Sequence, residues 1–311
     1  MNNYLSKVAI LLVVTNEAKH LPTFCKSLAD QDYKEVKLFV LDNNCEDNSI
    51  EIIKSYFPDA YVLQVKENAG FARGNNLLAK EAMQSGFELL FILNPDIELH
   101  ENCISSLVKL INSNEKISAV TPIVFYGGEH KKLNKIQFYT DVIDFKTRKL
   151  RSSISGQLFI EGKFPKEKEA NIIGGGVTFI KASVVSEIGL FDERYFIYGE
   201  EIDLGLRSHL AGYKMMATSD AKVWHHHDWS KKNKKQHYFS YFYMNRAKVL
   251  YLIKYKFYNR LITMLVSEVL LFPLKVKWSI KTADVKLLKY YYLGLIHGVL
   301  NKQNKSYIKF E

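Results

Sequence analysis

From its start, the chain alternates short apolar runs with segments whose apolar residues recur at helical spacing. Val8–Val14, Val36–Leu41 (ending at Asp42), Tyr61–Val65 and Leu89–Leu93 are runs of strand length. Between them, Leu21–Leu28, Ser49–Phe57 and Ala72–Met83 carry the helical pattern. Strands that alternate with helices in this way predict βαβ units, and hence a parallel sheet with right-handed crossovers. The stretch from Gly127 to Glu169 breaks the rhythm: it is polar, Lys-rich and irregular, and is expected to run over an edge of the sheet. Regularity returns at Val177–Ile180 (strand), Ile202–Leu210 (helix) and Lys222–Trp224, a short strand entering His225-His226-His227. Long helices with little turn chemistry follow.

Composition narrows the class. A chain of 311 residues, 47% hydrophobic and 24% charged, can bury a large core and is not disordered. Cys25, Cys45 and Cys103 are scattered without a CxxC pair, which points to reduced thiols in a cytosolic protein. The apolar run near the start has no basic leader and no small-residue cleavage site, so it reads as a core strand and not as a signal peptide. Leu261–Leu274 is interrupted by Ser267, Glu268 and Pro273, and is expected to be an interfacial or buried helix.

Charge is unevenly placed. The net +10 conceals a tail, residues 222–311, with 18 Lys and Arg against 4 Asp and Glu. That tail is also dense in aromatics: Tyr238, Phe239, Tyr241, Phe242, Tyr243, Tyr251, Tyr255, Phe257 and Tyr258. Basic, aromatic and amphipathic together predict contact with an anionic membrane surface. Nucleic acid is the competing partner, but none of its recognition motifs occurs.

The candidate chemistry lies where strands end. Thr15-Asn16-Glu17, Asp42-Asn43-Asn44 and Asn94-Pro95-Asp96 follow three of the predicted strands, and polar tips on adjacent parallel strands line one crevice. Asp96 has the oxygen chemistry that a hard divalent cation and its phosphate partners require. Asp42 is read either as a turn former or as an acceptor for the ring N–H of uracil or thymine. In Asn68–Asn76, Arg73 is placed to meet a phosphate or a base, and Gly70 and Gly74 permit close backbone approach. A second acidic cluster, Glu200-Glu201-Ile202-Asp203, precedes an amphipathic helix; two such clusters suggest a metal-assisted phosphate site with a separate general base. There is no GxGxxG after the first strand and no GxxxxGK[ST] loop, which disfavours a nicotinamide enzyme and a P-loop NTPase.

In order, VVTNEAKHL, LDNNCEDNS, NAGFARGNN, LFILNPDIEL, GLFDERYFIYGEEIDLGLR and VWHHHDWS resemble the family 2 glycosyltransferases, and more narrowly their bacterial rhamnosyltransferase-like branch. The resemblance runs from about Val8 to Ser230, and NRAKVLYLIKY and YYLGLIHG extend it into the tail. It implies a GT-A fold, an α/β core with a mainly parallel sheet over residues 1–230, and the charge and aromatics of the tail add a basic helical membrane-associating extension over 231–311. It implies a nucleoside-diphosphate sugar donor, dTDP-rhamnose or a UDP-hexose, and inversion at the anomeric carbon. Thr15, Glu17, Asp42, Asn68, Arg73 and Asn94 would contact that donor. Asp96 would hold Mg²⁺ or Mn²⁺ against the diphosphate. His225, five residues before Ser230 as in the family, would reach the metal or the diphosphate, while His226 and His227 are expected to pack or lie at the surface. The three histidines are not expected to form an independent zinc site.

Departure of the diphosphate leaves negative charge that a divalent cation stabilises. The acceptor hydroxyl must lose a proton to a carboxylate. Glu201 occupies the place of the family's base, with Glu200 the alternative because the usual Glu-Asp pair is here Glu-Glu; Asp203 is expected to cap or orient the following helix. Two other features depart from related patterns: no aromatic follows Thr15, and the QxxRW motif of processive synthases is absent, so transfer of a single sugar is expected. The acceptor implied is a lipid-linked glycan of a surface polysaccharide such as O-antigen or capsule, and the place of action the cytoplasmic face of the membrane. The rivals are a sugar nucleotidyltransferase, which needs a Gly-rich loop after the first strand, and a catalytically decayed membrane or nucleic-acid adaptor.

Overall fold

The computed structural model describes residues 5–128, 131, 134–139, 142–174, 176–226 and 233–301. Strands β1 (Val8–Val14), β2 (Val36–Asp42), β3 (Tyr61–Gln64) and β4 (Leu89–Leu93) are separated by helices α1 (Leu21–Ala29), α2 (Ser49–Tyr56) and α3 (Gly70–Gln84). β1 pairs in parallel with β2 and with β4, and β2 with β3, so the expected βαβ half is present. The period of two along β1 divides the core. Val8, Ile10 and Leu12 pack with α1 on one face, while Ala9 and Leu11 pack with α3 on the other.

The second half contains β5 (Ile97–Leu99), α4 (Cys103–Asn112), β6 (Ile117–Tyr126), β7 (Ile136–Phe138), β8 (Val142–Asp144), β9 (Lys149–Ser152) and β10 (Glu167–Ala170). It continues with β11 (Val177–Lys181), α5 (Ala182–Ile188), α6 (Glu200–Leu210) and β12 (Lys214–His225). The sheet order is β10-β12-β6-β11-β4-β1-β2-β3, mostly parallel along that path, with β11 antiparallel to both of its neighbours. This is an α/β architecture.

Three expectations change. The apolar pattern gives no element over Ile117–Tyr126, yet this segment is a strand buried at all but its last residue; a strand buried on both faces has no period-two alternation to reveal it, and Ser118, Thr121 and Pro122 interrupt the apolar run. β12 begins at Lys214, well before the expected Lys222, because a register shift between Thr218 and Lys222 carries the strand through its polar middle. The segment from Gly127 to Glu169 does more than cover an edge. β7 pairs with β6, and the β8–β9 hairpin folds back onto the helices, where Tyr251 donates to the Phe145 carbonyl (2.8 Å).

Helices α7 (Lys234–Lys254), α8 (Tyr258–Lys281) and α9 (Val285–Val299) complete the described chain. α7 packs on the loop before α6: Tyr243 stacks on Phe196 with centroids 4.9 Å apart, and Arg246 Nη1 donates to the Arg194 carbonyl. α9 crosses α7 closely because Gly294 and Gly298 lie against Phe242 and Val249 with no room for a side chain. This arrangement corrects the reading of the tail aromatics. Tyr238, Phe242, Tyr243 and Tyr251 are buried in the helical core, and of the nine named only Tyr241 and Tyr258 are exposed. The exposed apolar surface belongs to α8, where Val269 and Leu270 are each 72% exposed and Leu274 and Trp278 lie open nearby. Among the described residues, no helix is long and apolar enough to cross a membrane.

Candidate active site

The carboxyl ends of β4, β1 and β2 are adjacent and on one edge of the sheet, so their polar tips converge. Asn16 (φ 56°) and Asn44 (φ 64°) turn the chain there in the left-handed region that Asn tolerates. Asn43 joins three loops. Its Nδ2 donates to Thr15 Oγ1 (3.0 Å) and Asn68 Oδ1 (3.0 Å), and its Oδ1 accepts from the Ala69 N–H (2.7 Å). The sequence marks Asn43 only as a strand-tip residue. A buried amide, carrying donor and acceptor together, is what a junction between loops of mixed polarity needs.

Asp42 forms the expected turn. Its Oδ1 accepts from the Cys45 N–H (2.9 Å), while Oδ2 accepts from Gln64 Nε2 (3.0 Å). Each oxygen retains a second lone pair. The glycine-rich start of α3 is arranged differently from expectation. The Phe71 and Ala72 N–H groups donate to the Phe196 carbonyl (2.8 and 3.2 Å), and Gly70, at φ +75°, lies under the Phe196 ring. Gly74 faces Val13 and Leu41 of the sheet. Close approach here is therefore to the protein itself, and Arg73 is left exposed on the first turns of the helix.

At the end of β4, the Asn94 N–H donates to the Gly176 carbonyl (3.0 Å), and a side chain at Gly176 would collide with the Asn94 amide. β5 then pairs with the end of β12, Ile97 opposite His225, and this pairing brings Asp96 to the histidines. Asp96 Oδ2 lies 3.2 Å from His225 Nε2. Gln137 Oε1 sits 2.8 Å from His225 Nδ1. Because that oxygen can only accept, Nδ1 carries a proton, and Nε2 is the ring nitrogen that faces the Asp96 carboxylate. His226 is placed otherwise: its Nδ1 accepts from the Gly128 N–H (3.0 Å) and its Nε2 donates to Glu98 Oε2 (2.9 Å). The His226 hydrogen bond, aided by Lys131, holds the Glu98 carboxyl at about 2 despite its burial. His227 and Ser230 lie outside the described residues.

Glu17 reaches the same place. Burial and the nearby Asp96 carboxylate push it up to about 7, an acid close to half-protonated at neutral pH. His20, at the start of α1, is also within electrostatic reach of Asp96, His225 and His226, and burial lowers its pKa. The sequence did not single out His20. Among the described residues no group of three or more His, Cys, Asp or Glu is placed to hold a metal ion. The donor set that is present, one carboxylate and one imidazole, suits a cation whose other ligands come from a diphosphate and water.

The second acidic cluster starts α6, capped by Gly199 at φ +91°. Glu200 is buried, and burial together with the Glu201 charge pushes it well above the usual carboxylate range. Burial also raises Glu201, but its Oε2 accepts the Gly199 N–H (2.9 Å), and that bond and the Arg148 charge both favour its ionised form. The two acids thus differ in their partners: Glu201 is held by the Gly199 N–H, and Glu200 Oε2 meets no hydrogen-bond partner among the described residues. Asp203 is engaged elsewhere. It accepts from Arg207 Nε (2.8 Å) and Tyr255 Oη (2.8 Å) and pairs with Lys254, so it ties α6 to α7, and a catalytic part for it is not supported by its surroundings. The acid pair and the crevice are linked through Phe196, which caps α3 just ahead of α6.

The solved structures to which the chain is similar carry the GT-A fold. One is the crystal structure of GalNAc-T7 with UDP, GalNAc and Mn²⁺ (TM-score 0.61, 15% identity, 81% of this chain and 48% of that one). Another is that of S. aureus TarS (TM-score 0.51, 14% identity, 82% and 43%). The chain thus spans about half the length of these structures. Among curated proteins it is 23% identical over 233 residues to the N-acetylglucosaminyl-diphospho-decaprenol L-rhamnosyltransferase of Mycobacterium tuberculosis, covering 70% of this chain and 75% of that protein. It is also 23% identical over 221 residues to the poly-beta-1,6-N-acetyl-D-glucosamine synthase of Staphylococcus epidermidis, covering 70% and 49%. The family model for glycosyl transferase family 2 matches residues 9–189, more than half of the chain, and the chain belongs to that family.

Proposed function

We propose that this glycosyltransferase is an inverting, metal-dependent enzyme that moves one sugar from a nucleoside-diphosphate sugar to a hydroxyl of a lipid-linked glycan. The observation that carries this reading is the Asp96–His225 pair, 3.2 Å apart at the crevice, with the Glu200–Glu201 pair at the start of α6 joined to the same edge through Phe196. Thr15, Glu17, Asp42, Asn68 and Asn94 line the donor side and Arg73 reaches toward the phosphates or the base. Asp96 and His225 would hold the cation, Mg²⁺ or Mn²⁺, which when bound would supply positive charge to the departing diphosphate. Glu201 takes the proton of the acceptor hydroxyl as that oxygen attacks from the opposite face of the sugar. Glu200, buried beside it, supports the site without accepting that proton. A nucleotidyltransferase is disfavoured because the start of α3 is closed by Phe196 and no Gly-rich loop follows β1.

The relative named as an N-acetylglucosaminyl-diphospho-decaprenol L-rhamnosyltransferase supports rhamnose as the sugar, from dTDP-rhamnose in our reading, and a polyprenyl-linked acceptor. A melting-temperature screen of nucleotide sugars with Mn²⁺ tests this. A donor at a hundred times its Kd stabilises by ~2.7 kcal/mol, which raises the Tm by several degrees. The expected result is such a rise with a dTDP or UDP sugar that vanishes on chelation; no rise with any nucleotide sugar overturns the reading.

We further assign residues 1–230 to donor binding and residues 231–311 to an extension that holds the enzyme on the cytoplasmic face of an anionic membrane. What supports the second part is the exposed apolar face of α8 beside Arg260, Lys277, Lys281, Lys286 and Lys289, and not the aromatics of α7. The protein is expected to sediment with vesicles rich in anionic lipid at physiological salt and to be partly released as salt rises. Protein that stays wholly in solution refutes the membrane assignment.

A further inference from the structure

We propose that Arg148 is a positioning residue for the acid pair: it supplies the positive charge that orients Glu201 toward the acceptor hydroxyl. This rests on Glu201 being the base. Arg148 sits in the turn between β8 and β9 at φ +56°, a left-handed conformation that side chains other than Asn, Asp or Gly seldom adopt. The turn is held by the Arg148 N–H donating to the Asp144 carbonyl (2.7 Å) and the Thr147 N–H donating to Asp144 Oδ1 (2.7 Å). The hairpin itself is docked: Asn171 bonds both the N–H and the carbonyl of Ile143 (2.9 and 2.7 Å). A strained backbone fixed from both sides, where glycine would be easier, indicates that the side chain is what is being placed.

That side chain reaches the start of α6. Its guanidinium lies over the Tyr251 ring, 5.3 Å from the centroid. Nη2 stands 3.4 Å from where a Cβ on Gly199 would be, beside the residue whose N–H already binds Glu201. Nη1 is enclosed and meets no hydrogen-bond partner among the described residues, and the same holds for Glu200 Oε2. A buried guanidinium with an unengaged donor is costly unless a charge nearby offsets it. Glu201 is the acid it acts on most, ahead of Glu200. The other charged or titratable groups facing this cluster are Tyr195 and Tyr198 from the loop, Asp203 from α6, and Lys248 and Tyr251 from α7. Lys254, another cation on α7, is paired with Asp192 and Asp203.

In the step concerned, the acceptor oxygen bonds to the anomeric carbon, the bond from that carbon to the diphosphate breaks, and the acceptor proton passes to Glu201. Removing the neighbouring cation disfavours the ionised carboxylate, so the acid limb of the kcat–pH profile should move to higher pH. The full-length enzyme is assayed across pH as wild type, Arg148→Met, Arg148→Lys and Glu201→Gln. Arg148→Met is expected to shift the acid limb upward by about one unit or more with the donor KM unchanged, and Arg148→Lys to restore it. Arg148→Gln, which keeps a polar side chain in the cavity, carries the test if the methionine variant does not fold. A dead Glu201→Gln with an unmoved acid limb in Arg148→Met overturns the role of Arg148 alone. Normal turnover in Glu201→Gln overturns the base and this inference with it.

Discussion

Glu201→Gln should lose turnover by roughly 10²–10⁴-fold while binding the donor as the wild type does. The amide keeps an oxygen that can accept the Gly199 N–H, so the start of α6 has no reason to rearrange. It cannot take a proton, and only the chemical step depends on that. Single-turnover kinetics with saturating donor separate the two, because a fall in kcat without a change in donor affinity is the signature of an interaction used only in the transition state. Turnover at the wild-type rate would move proton removal elsewhere, with Glu200 the next residue to replace. The structure makes Glu200 the weaker candidate, since burial and the Glu201 charge both disfavour its ionised form, while the Gly199 N–H binds the Glu201 carboxylate.

Asp96→Ala should abolish metal-dependent donor binding, an effect expected to exceed the ~10–100-fold seen when only a residue supporting a metal ligand is lost. The fold should survive. The His226 N–H donates to the Asp96 backbone carbonyl (2.8 Å), which alanine retains, so the pairing of β5 with β12 is kept. Calorimetric titration of a nucleoside diphosphate with and without Mn²⁺ gives the result directly. Wild-type protein should bind more tightly with the cation, and the variant should show no difference between the two. A variant that still responds to Mn²⁺ would mean that Glu17 and His225, both beside Asp96, hold the cation without it.

The site was legible in the sequence where its residues sit at strand ends. Thr15, Asp42 and Asn94 follow apolar runs whose pattern is local, and the parallel order of those strands puts them on one edge. The partner of Asp96 was legible only through family resemblance, because the contact depends on β5 pairing with the end of β12, more than a hundred residues on. In the sequence Asn43 looks like one more turn residue, since a turn and a junction of three loops have the same composition. The glycines of α3 suggest room for a ligand, but a glycine shows only that something approaches closely, and here Gly70 meets Phe196 and Gly74 meets Val13 and Leu41.

By itself, then, the sequence determined the alternating α/β core, the acidic strand tips and the uneven charge, because these follow from periods of two and about 3.6 and from simple composition. It did not determine which aromatics of the tail are covered, where Asp203 finds its partners, or that Arg148 lies beside the acid pair. Tertiary structure decided those. Burial and charge pairing are set by segments far apart in sequence, such as the β8–β9 hairpin, α6 and α7, and no local pattern carries the energy of a contact that exists only once they meet.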